Sequence, residues 1–303
     1  MIASVKMFLS HCFGAGFHMR HACKTGKRNC AQASPIRHGD GMNNRKTRLV
    51  VTAIFMALTG QQALAAEPVT IAERPAILHR SAAAGGQAAP TLIALHGGLG
   101  NADQLKSSFD LTAAADRYGF NLIYVNGTPQ RRIGNRNTWN AGDCCGNAAK
   151  RQIDDVGYLE QVISHLISDG IARPGSIYLT GTSNGAMMSY RMACERNDLI
   201  AGVIAFSGPF VTGQCRNARG VRIWQLHGLQ DTTVPIDGGG KGQFLMGKPF
   251  PSVEETTRFL QSGGADVTVT LLPSASHRIT SMAEAMQQDN HQNMADAIGD
   301  FID

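Results

Sequence analysis

The chain has 303 residues, 43% hydrophobic, 17% charged and 6% aromatic, so it can bury one sizeable core or at most two small ones and is too apolar to stay disordered. Its formal charge is +5, but nine of the 28 Lys and Arg and only one of the 23 Asp and Glu lie in residues 1–65. The rest of the chain carries 19 basic and 22 acidic groups, a net charge near −3, which excludes the basic footprint expected of a nucleic-acid-binding domain.

Residues 1–41 show no apolar periodicity and are rich in His, Cys and basic residues. A stretch of this composition buries little, so the expectation is a disordered or non-native extension rather than a folded one. From Met42 the sequence passes through Arg45, Lys46 and Arg48, then runs uncharged from Leu49 to Gly60, and reaches Ala63-Leu64-Ala65. That is the basic region, apolar region and small-residue cleavage site of a signal peptide over 42–65, and a start at Met42 would open it without the preface. An apolar run of this length reaches about 18 Å as a helix, short of the ~30 Å needed to cross a bilayer core. The expectation is export and cleavage, leaving one domain over 66–303, secreted or periplasmic, with no stable membrane insertion.

Beyond residue 66, short apolar runs rich in β-branched residues recur at 91–95, 121–125, 176–180, 201–206, 221–226 and 267–272. Helical patterns fall between them at 102–117, 154–168, 184–194, 252–261 and 282–302. Nearly continuous apolar strands alternating with helices predict an α/β fold: a mostly parallel central sheet with helices on both faces. No linker, repeat or low-complexity tract interrupts 69–303, so one domain suffices. The stretches 127–151 and 232–251 are too long for ordinary connections and are expected to wall a substrate cleft.

Four of the seven Cys lie in this part: Cys144, Cys145, Cys194 and Cys215. An oxidising compartment favours at least one disulfide. Cys194 with Cys215 is the preferred pair, since one closes a predicted helix and the other follows the next strand. Cys144 and Cys145 fit either a vicinal bridge or free thiols, and neither Cys-x-x-Cys nor His-x-x-x-His spacing accompanies them to suggest zinc.

Three separated motifs carry chemistry. Gly181-Thr182-Ser183-Asn184-Gly185 matches G-x-S-x-G directly after a predicted strand and before a predicted helix. A nucleophilic Ser needs such a sharp turn with small flanking residues, and the helix start offers the Asn184 N–H to a developing oxyanion. Leu95-His96-Gly97-Gly98 follows another strand and offers the Gly98 N–H as a second donor, with His96 shaping the loop. No Gly-Lys-Ser/Thr follows, which argues against a nucleotide phosphate cradle. Asp231, in His227-Gly228-Leu229-Gln230-Asp231, and His277 complete the order Ser, Asp, His, with His as base and the carboxylate orienting it. Asp237 competes with Asp231. His291, expected on the last helix, and His165, in mid-helix, compete with His277, while His227 is assigned to loop structure. Asp154 and Asp155 read as an N-cap and a first-turn charge.

These motifs, together with Trp139-Asn140-Ala141-Gly142-Asp143-Cys144-Cys145-Gly146, Asp154-Asp155-Val156-Gly157 and Asp231-Thr232-Thr233-Val234-Pro235, resemble in order the secreted α/β-hydrolases of the poly(3-hydroxybutyrate) depolymerase and feruloyl esterase-like family. The resemblance implies the α/β-hydrolase fold and a serine esterase. It puts Ser183, Asp231 and His277 in the triad, Gly98 and Asn184 in the oxyanion hole, and Trp139 with its loop against the substrate. It further implies two-step acyl transfer with no cofactor and no metal, on a small-molecule or oligomeric ester. One departure is His277-Arg278-Ile279-Thr280, where many relatives follow the His with a Trp-Pro segment. With no linker or substrate-binding domain in the sequence, a soluble ester or oligomer is expected rather than crystalline polyester. The alternatives are a secreted serine peptidase of the same fold, told apart by amide cleavage, and a non-catalytic binding protein on a hydrolase scaffold, for which the intact triad argues against.

Overall fold

A computed structural model describes residues 66–130, 134–242 and 246–303. The 1–41 preface and the 42–65 signal expected from the sequence lie outside those residues.

The strands are β1 (Glu67–Ile71), β2 (Arg74–His79), β3 (Ala89–Leu95), β4 (Asn121–Val125), β5 (Thr128–Pro129), β6 (Asn137–Thr138), β7 (Ala172–Thr182), β8 (Gly202–Phe206), β9 (Arg222–Gly228) and β10 (Asp266–Leu272). An eight-stranded sheet runs in the order β1-β2-β4-β3-β7-β8-β9-β10, and β5 and β6 pair separately. From β4 to β10 every neighbouring pair is parallel, while β2 meets β4 and β1 meets β2 antiparallel. The helices are α1 (Ala102–Ser108), α2 (Thr112–Tyr118), α3 (Gly146–Lys150), α4 (Asp155–Ser168), α5 (Asn184–Glu195), α6 (Val253–Ser262), α7 (Ile279–Asp289) and α8 (Met294–Ile302).

Successive strand residues point to opposite faces of a sheet, and here both faces are buried. Leu92, Leu122, Ile204 and Trp224 pack in one apolar layer with Leu105, Ala115, Met282 and Ile298 of α1, α2, α7 and α8. Their neighbours Ile93, Ile123, Val203 and Ile223 pack in the other with Leu159, Met188 and Leu260 of α4, α5 and α6. The architecture is that of an α/β-hydrolase, and the six apolar runs seen in the sequence are its six parallel strands.

Three features depart from the sequence reading. The helix expected over 102–117 breaks between α1 and α2, because the buried Tyr124 hydroxyl inserts there, donating to the Phe109 carbonyl at 2.9 Å and accepting from the Leu111 N–H at 3.0 Å. The helix expected over 282–302 breaks before Asn293, whose side chain caps α8 by accepting from the N–H groups of Ala295 and Asp296. β1 and β2 were not foreseen. They turn on Ala72 and Glu73, both at positive φ (48° and 63°), a hairpin geometry usually signalled by Asn-Gly.

Cys194 at the end of α5 is bonded to Cys215, with their Cα atoms 5.1 Å apart, and Cys144 is bonded to Cys145 across a cis peptide. Asp154 caps α4 by accepting from the Gly157 N–H at 2.8 Å. Asp155 does more than complement the helix start. It is fully buried, pairs with Arg74 at 2.7 Å, and accepts from the Thr128 hydroxyl at 3.2 Å and the Asn140 N–H at 2.7 Å. It thereby fixes the long 127–151 connection to β2. Truncating a buried pair leaves the partner charge unmatched, so Asp155→Asn is expected to cost about 3–5 kcal/mol in equilibrium denaturation, against about 1 kcal/mol for the exposed cap in Asp154→Ala. Equal losses in the two variants would contradict this anchoring role.

Candidate active site

The ends of β3, β7, β9 and β10 converge at the carboxyl edge of the sheet, where ligands gather in folds of this kind. Ser183 stands between β7 and α5 with φ 53° and ψ −117°, a conformation in which a residue with a Cβ is strained. Its N–H donates to the Phe206 carbonyl at 2.8 Å and its carbonyl accepts from the Met187 N–H at 3.0 Å, so neighbouring backbone holds the turn from both sides. Glycine is required around it. A Cβ on Gly181 would sit 2.4 Å from the Gly185 backbone, one on Gly185 2.3 Å from the Leu95 carbonyl, and one on Gly208 2.6 Å from the Ser183 carbonyl.

Gly98 packs against this turn: a Cβ built on it would lie 3.6 Å from the Asn184 Cβ. The neighbouring amides are committed, Leu99 N–H to the Asn137 carbonyl at 2.8 Å and Gly100 N–H to the Gly97 carbonyl at 3.0 Å. Among the described residues the Gly98 N–H, beside the Asn184 turn, has no such partner. The Asn184 side chain is spent elsewhere, since its carbonyl accepts from the Trp139 N–H at 2.7 Å and its amide donates to the Trp139 carbonyl at 3.0 Å.

Asp231 follows β9 and is buried. Its Oδ1 accepts from the N–H groups of Thr233 and Val234, both at 2.8 Å, and its Oδ2 accepts from His277 Nδ1–H at 2.7 Å. Burial alone would raise its pKa, but the hydrogen bonds from His277 and the Val234 N–H outweigh it and hold the carboxyl below its ordinary value. With Nδ1–H directed at Asp231, Nε2 is the ring nitrogen left for another partner. Ser183 and His277 both line one cavity of about 410 Å³, together with Gly98, Asn184, Met187 and Cys145.

The competing residues lie apart. Asp237 lines a larger open groove of about 730 Å³ between α6 and β10 that contains neither Ser183 nor His277. His165 is on α4, 3.5 Å from Asp169. His291 is not helical as expected; it has φ 55° in the connection between α7 and α8. Among the described residues no group of three or more His, Cys, Asp or Glu is arranged to hold a metal ion.

Trp139 requires a correction. The sequence resemblance set it against the substrate, but it is fully buried and does not line the cavity. Its Nε1–H donates to the His96 carbonyl at 3.0 Å and its ring stacks on Tyr158 with centroids 6.3 Å apart, so it is a pillar behind the wall. The two long connections do wall the cavity, through Thr138, Cys145 and Gly146 from one and Thr233, Val234 and Phe250 from the other.

Two histidines serve the frame. His96 donates from Nδ1 to the Gly97 carbonyl at 2.7 Å and accepts at Nε2 from the Gly127 N–H at 3.0 Å, an arrangement that needs the neutral ring. His227, which the sequence reading put in a loop, lies within β9, and its Nε2–H donates to the Val234 carbonyl at 2.7 Å with Asp231 Oδ2 at 3.6 Å. Burial lowers the pKa of both, that of His96 to about 4. Sequence reasoning missed His227 as a brace of the Asp231 turn, although its position four residues ahead of Asp231 in a His-Gly pair was a usable signal.

Comparison with known proteins agrees with this frame. The sequence profile of the phospholipase/carboxylesterase family matches residues 81–288. Feruloyl esterase B of Piromyces equi is 32% identical over 171 residues, which cover 55% of this chain and 30% of that protein. The chain spans about half the length or less of the first curated relatives it matches. A Bacillus cereus carboxylesterase superposes with a TM-score of 0.55 at 18% identity, covering 77% of this chain and 96% of that one. The S-formylglutathione hydrolase of Agrobacterium tumefaciens gives a TM-score of 0.55 at 10% identity, over 75% and 91% of the two chains. At these identities the two structures speak to the fold alone.

The buried His96 generates a test. The unfolded chain protonates this ring near its ordinary pKa of 6.5, whereas the folded chain resists until about 4. Protonation therefore favours unfolding, and stability falls as pH drops through that window and levels off below it, by roughly 3 kcal/mol from this group. Denaturation curves across that pH range should show a shallower acid loss for His96→Gln than for the wild type, with His227 supplying part of what remains. Parallel losses in both proteins would contradict the assignment.

Proposed function

The chain belongs to the phospholipase/carboxylesterase family, and from that premise we propose that it is a serine esterase acting through an acyl-enzyme. The reading rests above all on one observation: the Asp231–His277 hydrogen bond leaves the other imidazole nitrogen free at a cavity that also receives Ser183 and the N–H groups of Gly98 and Asn184. Ser183 gives its proton to His277 and attacks the ester carbonyl. The oxyanion accepts from the Gly98 and Asn184 amides, fixed in place before the reaction begins. His277 returns the proton to the departing alcohol, then activates the water that releases the acid. Asp231, kept ionised by its own donors, holds the imidazole in the required tautomer.

The substrates we propose are soluble carboxylic esters of the feruloyl or hydroxybutyrate-oligomer class. This draws on the feruloyl esterase among the relatives and on the apolar lining of the cavity. We also propose that the protein is exported. The two disulfides and the 42–65 signal pattern support that reading, and no helix among the described residues is long and apolar enough to cross a membrane.

Hydrolysis of p-nitrophenyl esters of increasing acyl length tests the proposal. Activity on short chains is expected, with kcat falling by about 10⁴-fold or more in Ser183→Ala and in His277→Ala. Because the two residues act as a unit, the double variant should be no slower than either single one. Retained turnover in folded Ser183→Ala would overturn the mechanism.

A further inference from the structure

One charged side chain of the cavity takes no part in this chemistry. Lys241, exposed to solvent, borders it from the connection between β9 and α6, with its backbone N–H bonded to the Thr233 carbonyl at 3.2 Å. Nearby charges are already matched: Lys248 pairs with Asp143, and Asp231 is enclosed by its own donors. Among the described residues no acidic side chain lines the cavity, and the Lys241 ammonium has no carboxylate partner. The backbone dipoles that face the cavity add a field of the same sign. The start of α5, a 12-residue helix, opens into the cavity at Asn184, and Gly98 adds another unengaged amide. An arm reaching past Ser183 meets an apolar wall of Met187, Cys145 and Phe250, and one cation.

The two arms of an ester have different requirements. The acyl arm stays attached to Ser183 through both chemical steps, whereas the alcohol must leave after the first. The enclosed cavity suits the arm that stays. A second, shallower cleft of about 250 Å³ lies on the other side of Gly98 and Leu99, lined by Gln104, Thr182 and Ile279, and offers the alcohol an open exit.

We propose that Lys241 selects esters whose acyl arm ends in a carboxylate, as in half-esters of short dicarboxylic acids. The inference rests on the esterase reading above and adds to it the charge of the preferred acyl group. A carboxylate brought into the cavity gains a charge-assisted hydrogen bond there, and Lys241 has no competing partner to give up.

The test compares ethyl hydrogen glutarate with its neutral isostere, the ethyl ester of glutaramic acid, by chromatography of the released acid, with p-nitrophenyl butyrate as a general esterase substrate. The quantity read is the ratio of kcat/KM for the charged over the neutral ester within each protein, which a partly unfolded preparation does not distort. The wild type should favour the carboxylate by about threefold, less so as salt is added. The preference should vanish in Lys241→Met, reverse in Lys241→Glu and return in Lys241→Arg. A ratio that is the same in wild type and Lys241→Met overturns the inference while leaving the esterase reading intact, as does turnover of p-nitrophenyl butyrate without either glutaryl ester. Absence of turnover on all three substrates overturns the esterase reading, and the inference with it.

Discussion

Ser183 can hold its position only because three separate glycines leave its backbone room. Gly181 and Gly185 let the strand fold straight into the helix, and Gly208, from the end of the neighbouring strand, lets that chain pass beneath the turn. The strain of a serine at φ 53° is borne by hydrogen bonds on both sides, to Phe206 and from Met187. Every other part of the site is placed relative to this turn: Gly98 against Asn184, Trp139 against the Asn184 side chain, and His277 across the cavity.

A second constraint ties the loops together. Asn184 exchanges two hydrogen bonds with the backbone of Trp139, and Trp139 in turn donates to the backbone of His96 at the start of the glycine loop. The pillar extends through Tyr158 to Arg74, which lies 4.0 Å from that ring and pairs with Asp155. The Asn184–Trp139–His96 hydrogen bonds and the Arg74–Asp155 pair fix one geometry, because each buried group would be costly to leave unpaired. Tyr158, whose buried hydroxyl has no hydrogen-bond partner among the described residues, contributes its ring. The glycine loop and the Asn184 turn thus belong to one frame that is set before any ligand arrives. Lys241, by contrast, stands on a connection outside that frame, where a change of side chain can alter specificity without disturbing the turn.

Sequence patterning revealed most of the fold, and the parts it missed have physical causes. Five of the six parallel strands were legible because burial on both faces makes them continuous apolar runs, and β10, a mostly exposed edge, was legible from its β-branched residues. β1 and β2 were not, because both are only partly buried and their turn uses Ala72 and Glu73 where glycine would have marked it. The break between α1 and α2 depends on a tyrosine hydroxyl from β4, a tertiary contact that helical periodicity does not encode. At the site, strand-end positions brought Ser183, Asp231 and His277 to one edge of the sheet, since each motif follows its own parallel strand. The direction of a side chain was harder to read. Trp139 belongs to a connection that walls the cavity, but it stands behind that wall, its indole turned inward to a carbonyl 43 residues away in the chain. Asp155 likewise looked like a helix-start charge, and only the fold shows Arg74 beside it.

The central claim is that the strained serine is the nucleophile. Its most direct test is stoichiometric labelling with a fluorophosphonate, read by intact mass and peptide mapping while residual esterase activity is followed. The account predicts a single adduct per chain, located on Ser183, with activity lost in proportion to labelling. An adduct on another residue, or full activity after Ser183 has been labelled, would contradict it.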